Sequence, residues 1–190
     1  MKRYFVMVVA LCLAIAMVVA LPGCGGDTGR AKEYINNANK IIEDIAADSP
    51  GMQKEQFDTI FTELAGGEVT SSAKAEELAD GLTDATEKSL KTASEAKAEL
   101  EKVASLEGVE DYKEYAKLRI AVIDDITTLI EDTEKYLKDL AEILTAAEAG
   151  QPVDLAKVES DGTAFFTKVQ ELQESIKENG EAADALQDEL

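Results

Sequence analysis

The fold is decided by residues 115–147, which read YAKLRIAVIDDITTLIEDTEKYLKDLAEILTAA. Apolar side chains recur in this stretch at steps of three and four residues, the spacing of one face of an α-helix. This stripe consists of Tyr115, Leu118, Val122, Ile126, Leu129, Thr133, Tyr136, Leu140, Ile143 and Ala147. A second line beside it consists of Ile123, Ile130, Leu137 and Leu144. A stripe this wide predicts a long helix that contacts two or more neighbours, as a central bundle member does.

Three other segments of similar length share the helical period, and none of them has the alternation of a strand. Glycine and proline, the strongest breakers of regular structure, separate the segments. The breakers are Gly66-Gly67, Gly108 and Gly150-Gln151-Pro152. Segments of equal length joined by tight turns predict an all-α fold, an elongated antiparallel four-helix bundle.

The first segment, residues 28–65, is interrupted by Asp48-Ser49-Pro50-Gly51. We expect the first helix to be bent or split at Pro50, and a chain that folds back there would form five shorter helices instead. The same periods also suit a coiled coil between chains, although the stripe is wider than a two-position seam. At the other end, we expect Gly180 and the acidic stretch 181–190 to fray.

The chain begins with the features of an export signal. Lys2 and Arg3 precede an apolar run over residues 4–21, which ends in Leu21-Pro22-Gly23-Cys24. This start resembles the precursor of a bacterial lipoprotein, in which a Leu and small residues precede the cysteine that receives the lipid. The run is short for a helix that spans a bilayer, which needs about 20 residues, and this favours a signal peptide (residues 1–23) over an uncleaved anchor.

The resemblance implies that Cys24 carries a diacylglycerol and becomes the first residue of the mature protein, often with an acylated amino group such as a palmitate amide. Residues 24–29 would form a short flexible tether, and residues 30–190 an acidic helical body. The protein would be held on the extracytoplasmic face of the cell membrane, because two or more acyl chains anchor stably. Cys12 would leave with the signal, so that no disulfide is possible in the mature chain.

The charge of the chain is strongly negative, with 39 acidic against 19 basic residues and a formal net charge of −20. This excludes nucleic acid as a partner, because phosphates require a basic surface. It also disfavours close adsorption to an anionic bilayer. Acidic faces that keep the protein soluble are one interpretation of the charge, and recognition of cations or of a cationic partner is the other.

Histidine and tryptophan are absent from the sequence. Di-iron bundles, haem sites and most zinc sites require histidine or cysteine pairs, so we expect no metal site of those kinds and no cofactor. No phosphate-binding loop, dinucleotide fingerprint or nucleophile turn occurs either. Adjacent carboxylates such as Asp124-Asp125 point about 100° apart on a helix and do not share a site. We therefore expect a protein that is not an enzyme; an enzyme with a carboxylate-only site is the least favoured alternative.

Three groups of residues remain as candidates. The region 154–162 is rich in oxygen ligands for calcium but lacks the ligand order of an EF-hand loop, which favours a solvated helix surface. Arg119 lies beside the apolar stripe, where its guanidinium either pairs with a carboxylate or, as we expect, extends to the surface. Five aromatic residues fall in one half of the bundle and either line a groove for a ligand or partner or simply fill the core. They are Phe57, Phe61, Tyr136, Phe165 and Phe166.

These observations predict a non-enzymatic envelope lipoprotein whose helical bundle binds or scaffolds a protein or a cell-wall component. The alternative is a bundle that binds a small molecule or a cation, with the aromatic groove or the acidic loops as its site. The sequence leaves the oligomeric state open.

Overall fold

The computed structural model of the protein describes residues 26–48, 59–60, 62–64, 66, 68–187 and 189–190. Within these ranges lie four long helices. They are α1 (Gly26–Asp48), α2 (Ser72–Val103), α3 (Glu110–Glu148) and α4 (Leu155–Gln187). Residues 59–60, 62–64 and 66 are also helical, and no residue in the described ranges belongs to a strand. The prediction of an all-α fold is therefore confirmed.

Several predictions for the first part of the chain concern residues outside the described ranges. They are the signal peptide, Cys24 and the break at Pro50. Helix α1 begins at Gly26, within residues 24–29, the range predicted as a tether. None of the helices in the described part of the chain combines the length and the apolar character needed to cross a bilayer.

The end of α3 is closed by a glycine in the left-handed conformation. Gly150 has a φ of +71° and donates its N–H to the carbonyl of Ala147 at 2.9 Å. Gln151 donates its N–H to the carbonyl of Ala146 at 2.9 Å. These two bonds form a Schellman motif, which satisfies carbonyl groups that have no partner within the helix. The glycine predicted as a breaker therefore acts as the cap of α3.

The helices divide into two compact units, each of which takes part of α2, α3 and α4. Unit 1 comprises α1, α2 from Lys88, α3 up to Ile126 and α4 from Gln173. Unit 2 comprises α2 up to Glu87, α3 from Thr127, α4 up to Leu172 and the described residues that precede α2.

The core of unit 1 takes side chains from all four helices. Its buried members are Ala31, Ile35, Ala38, Ala96, Leu100, Val103, Leu106, Val109, Tyr115, Ala116 and Ala183. Five of these are alanines, and small side chains allow helices to approach one another closely. The wide stripe predicted for α3 contributes Tyr115 to this core, with Leu118 and Ile123 packed against it.

The C-terminal segment of unit 1 is ordered, contrary to the expectation that residues from Gly180 onward fray. Helix α4 continues to Gln187, and Ala183 is fully buried. Leu186 and Leu190 pack against the unit 1 core. In addition, the Tyr112 hydroxyl donates to the Leu190 carbonyl oxygen at 3.3 Å. The prediction was wrong because this acidic stretch also contains small and apolar residues that pack against the core.

A core cluster of unit 2 combines Leu137 of α3 with Ile60, Leu78, Ala79 and Leu82. The half-buried Leu64 and Val69 pack against this cluster. Glu148, at the end of α3, accepts the backbone N–H of Ser72 at 2.9 Å and its hydroxyl at 2.8 Å, which fixes the start of α2. Both hydrogen bonds lower the pKa of the Glu148 carboxyl, and the bond from the Ser72 N–H has the larger effect.

Substituting alanine for glycine at positions 150 and 81 is expected to change stability in opposite directions. Gly150→Ala places a side chain in the left-handed region and is expected to lower the free energy of unfolding by about 1 kcal/mol. Gly81 lies inside α2 with open space around it. Gly81→Ala is expected to raise the free energy of unfolding by about 0.5–1 kcal/mol, because alanine favours the helix.

Urea unfolding of the full chain, followed by circular dichroism at 222 nm, measures both changes. Unchanged stability of Gly150→Ala would contradict the assignment of Gly150 as the cap of α3, and destabilisation by Gly81→Ala would contradict the open space at Gly81.

Candidate functional site

Three of the five aromatic residues predicted as a groove come together in unit 2. Tyr136 of α3 stacks on Phe165 of α4, with ring centroids 4.2 Å apart and planes within 3°. Phe166 meets both rings edge to face, at 5.2 Å from Phe165 and 6.4 Å from Tyr136. Such contacts join α3 to α4. The other two predicted residues, Phe57 and Phe61, lie outside the described residues.

The stacked rings fill the space between α3 and α4 at this point. A separation of 4.2 Å is van der Waals contact, so no ligand fits between Tyr136 and Phe165. Phe165 is buried, whereas Tyr136 and Phe166 are half-buried. Helix α4 contributes Gly162 here, and a Cβ at this position would lie 3.2 Å from the Tyr136 hydroxyl oxygen. Any partner of these rings therefore meets their outer edges, and the groove itself stays a prediction.

The Tyr136 phenol has an environment that disfavours its ionised form. Burial raises its pKa above the ordinary value, and the negative charge of Asp161 adds to the effect. The hydroxyl therefore stays protonated at neutral pH and is not a general base.

The acidic region 154–162, considered for calcium, begins a helix. Asp154 caps α4 by accepting the N–H of Lys157 at 3.1 Å. Asp161 accepts the Lys157 ammonium at 2.5 Å. Across the described part of the chain, no group of three or more side chains of the metal-binding types stands close enough together to hold an ion. The carboxylates of this region therefore cap the helix and pair with a lysine.

A buried polar network in unit 1 is the feature that sequence reasoning missed. Arg119 of α3 is only 4 % exposed. Its Nη2 donates to Asp184 Oδ1 at 2.7 Å and to Gln187 Oε1 at 3.3 Å. Its Nε donates to the Tyr115 hydroxyl at 3.1 Å. The expectation that Arg119 extends to the surface is wrong, because its partners come from the end of α4, 65 residues away in the sequence.

Tyr115 extends this network to a third helix. Its hydroxyl is fully buried and lies 3.5 Å from Asn39 Oδ1 of α1 and 3.4 Å from Gln187 Oε1 of α4. A single hydroxyl proton satisfies one of these acceptors at a time. The Arg119 guanidinium also lies 5.1 Å from the centroid of the Tyr115 ring, within the range of a cation–π contact. The network therefore joins α1, α3 and α4.

One sequence signal points to this network. Asp184 and Gln187 are three residues apart and share a face of α4 with the buried Ala183. Polar residues on a buried face require partners, and Arg119 beside the stripe of α3 has the complementary charge. Local periodicity does not show which helices are neighbours, so the pairing could not be assigned from the sequence.

The start of α1 lies against the connection between α2 and α3. Asp27 Oδ2 accepts the backbone N–H of Glu107 at 3.0 Å, and Asp27 Oδ1 pairs with Arg30 at 3.3 Å. An acid in the first turn also complements the positive end of the helix dipole. Because Gly26 is the first residue of α1, a single residue separates the helix from Cys24 in the sequence.

Comparisons of this chain with protein-family models, with curated proteins and with solved structures give no match.

Tyr136→Phe is expected to change the alkaline dependence of stability. Because the folded state raises the Tyr136 pKa, its contribution is fully present below about pH 10, the ordinary pKa of tyrosine, and is lost as the pH rises through the folded value. We expect the wild type to lose stability more steeply than Tyr136→Phe above pH 10. Urea unfolding at pH 8–11 measures the difference between the two proteins, and this difference removes the contribution of the lysines, which titrate in both. Parallel curves would be the contrary result.

Asp184→Ala is expected to leave the buried Arg119 charge without its carboxylate. We expect the free energy of unfolding to fall by about 1–2 kcal/mol, a modest figure because Asp184 is 46 % exposed. Asp139→Ala, which removes the exposed partner of Lys135, is the matched control and is expected to change stability little. Equal effects of the two variants in urea unfolding would show that the network contributes no more than a surface ion pair.

Proposed function

We propose that this chain is a membrane-anchored envelope lipoprotein, and that its acidic four-helix bundle is a non-enzymatic module that binds or scaffolds a protein or a cell-wall component. The observation that carries the proposal is Leu21-Pro22-Gly23-Cys24 directly after an apolar run with a basic start. In this proposal Cys24 carries the lipid, and the body faces away from the cytoplasm.

The position of α1 supports attachment of unit 1 close to the bilayer. Only Gly25 stands between Cys24 and the first residue of α1. An extended chain covers at most about 3.5 Å per residue, so a lipid on Cys24 would hold the start of α1 within a few ångströms of the membrane surface. Because Asp27 accepts the Glu107 N–H, the α2–α3 connection would also be held near the membrane.

The chemistry of the body supports binding rather than catalysis. The sequence contains no histidine, the commonest general acid and base. Arg119, the buried cation of unit 1, is engaged by Asp184 and Gln187. The Tyr136 and Phe165 rings of unit 2 stack on each other and leave no space between them. These contacts favour a rigid module that presents its surface to a partner.

The net charge of −20 indicates the chemistry of that partner. Removal of Lys2 and Arg3 with the signal would make the body two units more negative. A surface with this excess attracts basic groups and repels anionic polymers. We propose a partner with exposed amino or guanidinium groups, in a protein or in a wall peptide.

Metabolic labelling tests the anchor. In bacterial cells that express the full chain and are grown with an alkyne-tagged fatty acid, the wild type is expected to take up the label. Cys24→Ser is expected to lose it, because the thiol that accepts the lipid is gone. Cys12→Ser is the matched control and should be labelled normally. Equal labelling of the wild type and Cys24→Ser would refute the lipoprotein assignment.

Affinity capture tests the binding module. The full-length lipidated chain, held in detergent, should enrich a basic protein or wall fragment from envelope extract. Raising the salt from 50 to 500 mM should release the partner, because ions screen contacts between exposed charges. Capture that is insensitive to salt would contradict recognition through the acidic surface.

A further inference from the structure

We infer that the buried Arg119 network sets the register in which α4 packs along α3 in unit 1. This inference concerns the choice among packings of α4 along α3 that all bury mainly apolar side chains, and it is independent of the proposed function. The network brings the Arg119 guanidinium, with 5 % of its side chain exposed, onto Asp184 at 2.7 Å and Gln187 at 3.3 Å. Outside the network, Ser175 donates its hydroxyl to Asp125 Oδ2 at 2.7 Å. Both contacts show that α3 and α4 run antiparallel in unit 1.

The inward face of α4 repeats every seven residues, so apolar packing alone fits more than one register. The face advances by steps of four and three residues through Val158, Gly162, Phe165, Val169, Leu172, Ile176, Asn179, Ala183 and Leu186, and Leu190 continues it beyond the last residue of α4. A shift of α4 by seven residues puts Val169 where Ile176 lies, and the larger Ile176 where the fully buried Ala183 lies. Most of these exchanges replace one small or apolar side chain by another; the exceptions are the two that involve Asn179. A seam with this period is therefore compatible with slipped pairings.

The polar partners of Arg119 do not repeat with this period. In the shift that moves earlier residues of α4 toward Arg119, Lys177 takes the place of Asp184, and Gly180 takes the place of Gln187. A buried guanidinium would then face an ammonium and lose its amide acceptor. The buried guanidinium would lack its carboxylate and would lie beside a like charge at a half-exposed position, and this disfavours that packing. The opposite shift also fails, since seven residues of helix carry Asp184 about 10 Å from Arg119.

The connection between α3 and α4 does not by itself prevent such a shift. It consists of residues 149–154, which span up to about 20 Å when extended. The first residue of α4, Leu155, is 75 % exposed and could leave the helix at little cost in buried area. The choice of register therefore falls to the side chains that differ between registers. Arg119 with Asp184 is the pair among them whose cation is buried. In unit 2 the more exposed pair of Lys168 and Asp132 also changes, because Asp161 takes the place of Lys168.

Cysteine crosslinking reports the register directly. In the full-length chain with Cys12→Ser and Cys24→Ser, Asp125→Cys with Ser175→Cys reports the native register, because these side chains touch. Asp125→Cys with Lys168→Cys reports the register shifted by seven residues. A short thiol-specific crosslinker and peptide mapping by mass spectrometry give the yield of each pair.

The double variant Arg119→Met with Asp184→Met removes the ion pair between these residues and keeps large side chains at both positions. We expect this double variant to stay helical, to melt within a few degrees of the parent, and to raise the yield of the shifted pair at least fivefold. Lys97→Met with Asp124→Met removes an exposed ion pair between α2 and α3 in the same unit and serves as the control. It is expected to leave both yields unchanged. An unchanged shifted yield in the double variant would overturn the inference, since the network would then be a contact without influence on register.

Lys177→Asp with Asp184→Lys moves the acid by seven residues at constant composition and provides a second test. The shifted register now offers Arg119 a carboxylate, and the native register offers it an ammonium. We expect the shifted pair to give a higher yield than the native pair. Retention of the native register would contradict the inference. Loss of the helical circular dichroism signal in both double variants would contradict it too, because the network would then be a condition for folding rather than a choice between folded registers.

Discussion

Unit 1 depends on the burial of one positive charge. A guanidinium removed from water is costly unless its donors meet acceptors, and in Arg119 these acceptors are Asp184, Gln187 and the Tyr115 hydroxyl. The acceptors come from α3 and α4. The Tyr115 hydroxyl also contacts Asn39 of α1. Helices α3 and α4 must therefore be placed correctly for the Arg119 side chain to be satisfied. Hydrophobic burial supplies most of the driving force for folding, whereas this network restricts which arrangement results.

The two units use different means to join α3 to α4. In unit 1, the fully buried Ala183 lets the helices approach closely, and the polar network lies in the same contact. In unit 2, Phe165 stacks on Tyr136, and Gly162 leaves room for the phenol. The buried Thr86 and Thr133 of unit 2 bond locally, because each donates its hydroxyl to the carbonyl four residues earlier at 2.7 Å. Such threonines occupy core positions without requiring a partner from another helix.

The proposed function follows from this division of roles. A scaffold needs a surface that keeps its shape, and a cluster of buried apolar side chains lies within each unit. The regions that could have suggested chemistry have structural tasks instead: Asp154 caps α4, and Tyr136 packs on Phe165. What the body presents to its surroundings is mainly an excess of carboxylates. A lipid on Cys24 would restrict that surface to the neighbourhood of the membrane, where a basic partner can meet it.

The sequence by itself determined the helical class, because the three-and-four spacing of residues 115–147 fits no other regular structure. It also determined the breaks, since glycine at 108 and 150 adopts a positive φ that other residues avoid. The export signal stays a prediction, because its residues lie outside the described ranges. Only the tertiary structure decided that Arg119 is buried and that the last turns of α4 are ordered. Periodicity identifies the face of a helix that is buried, but a partner 65 residues away is chosen by packing between helices, which no local pattern records.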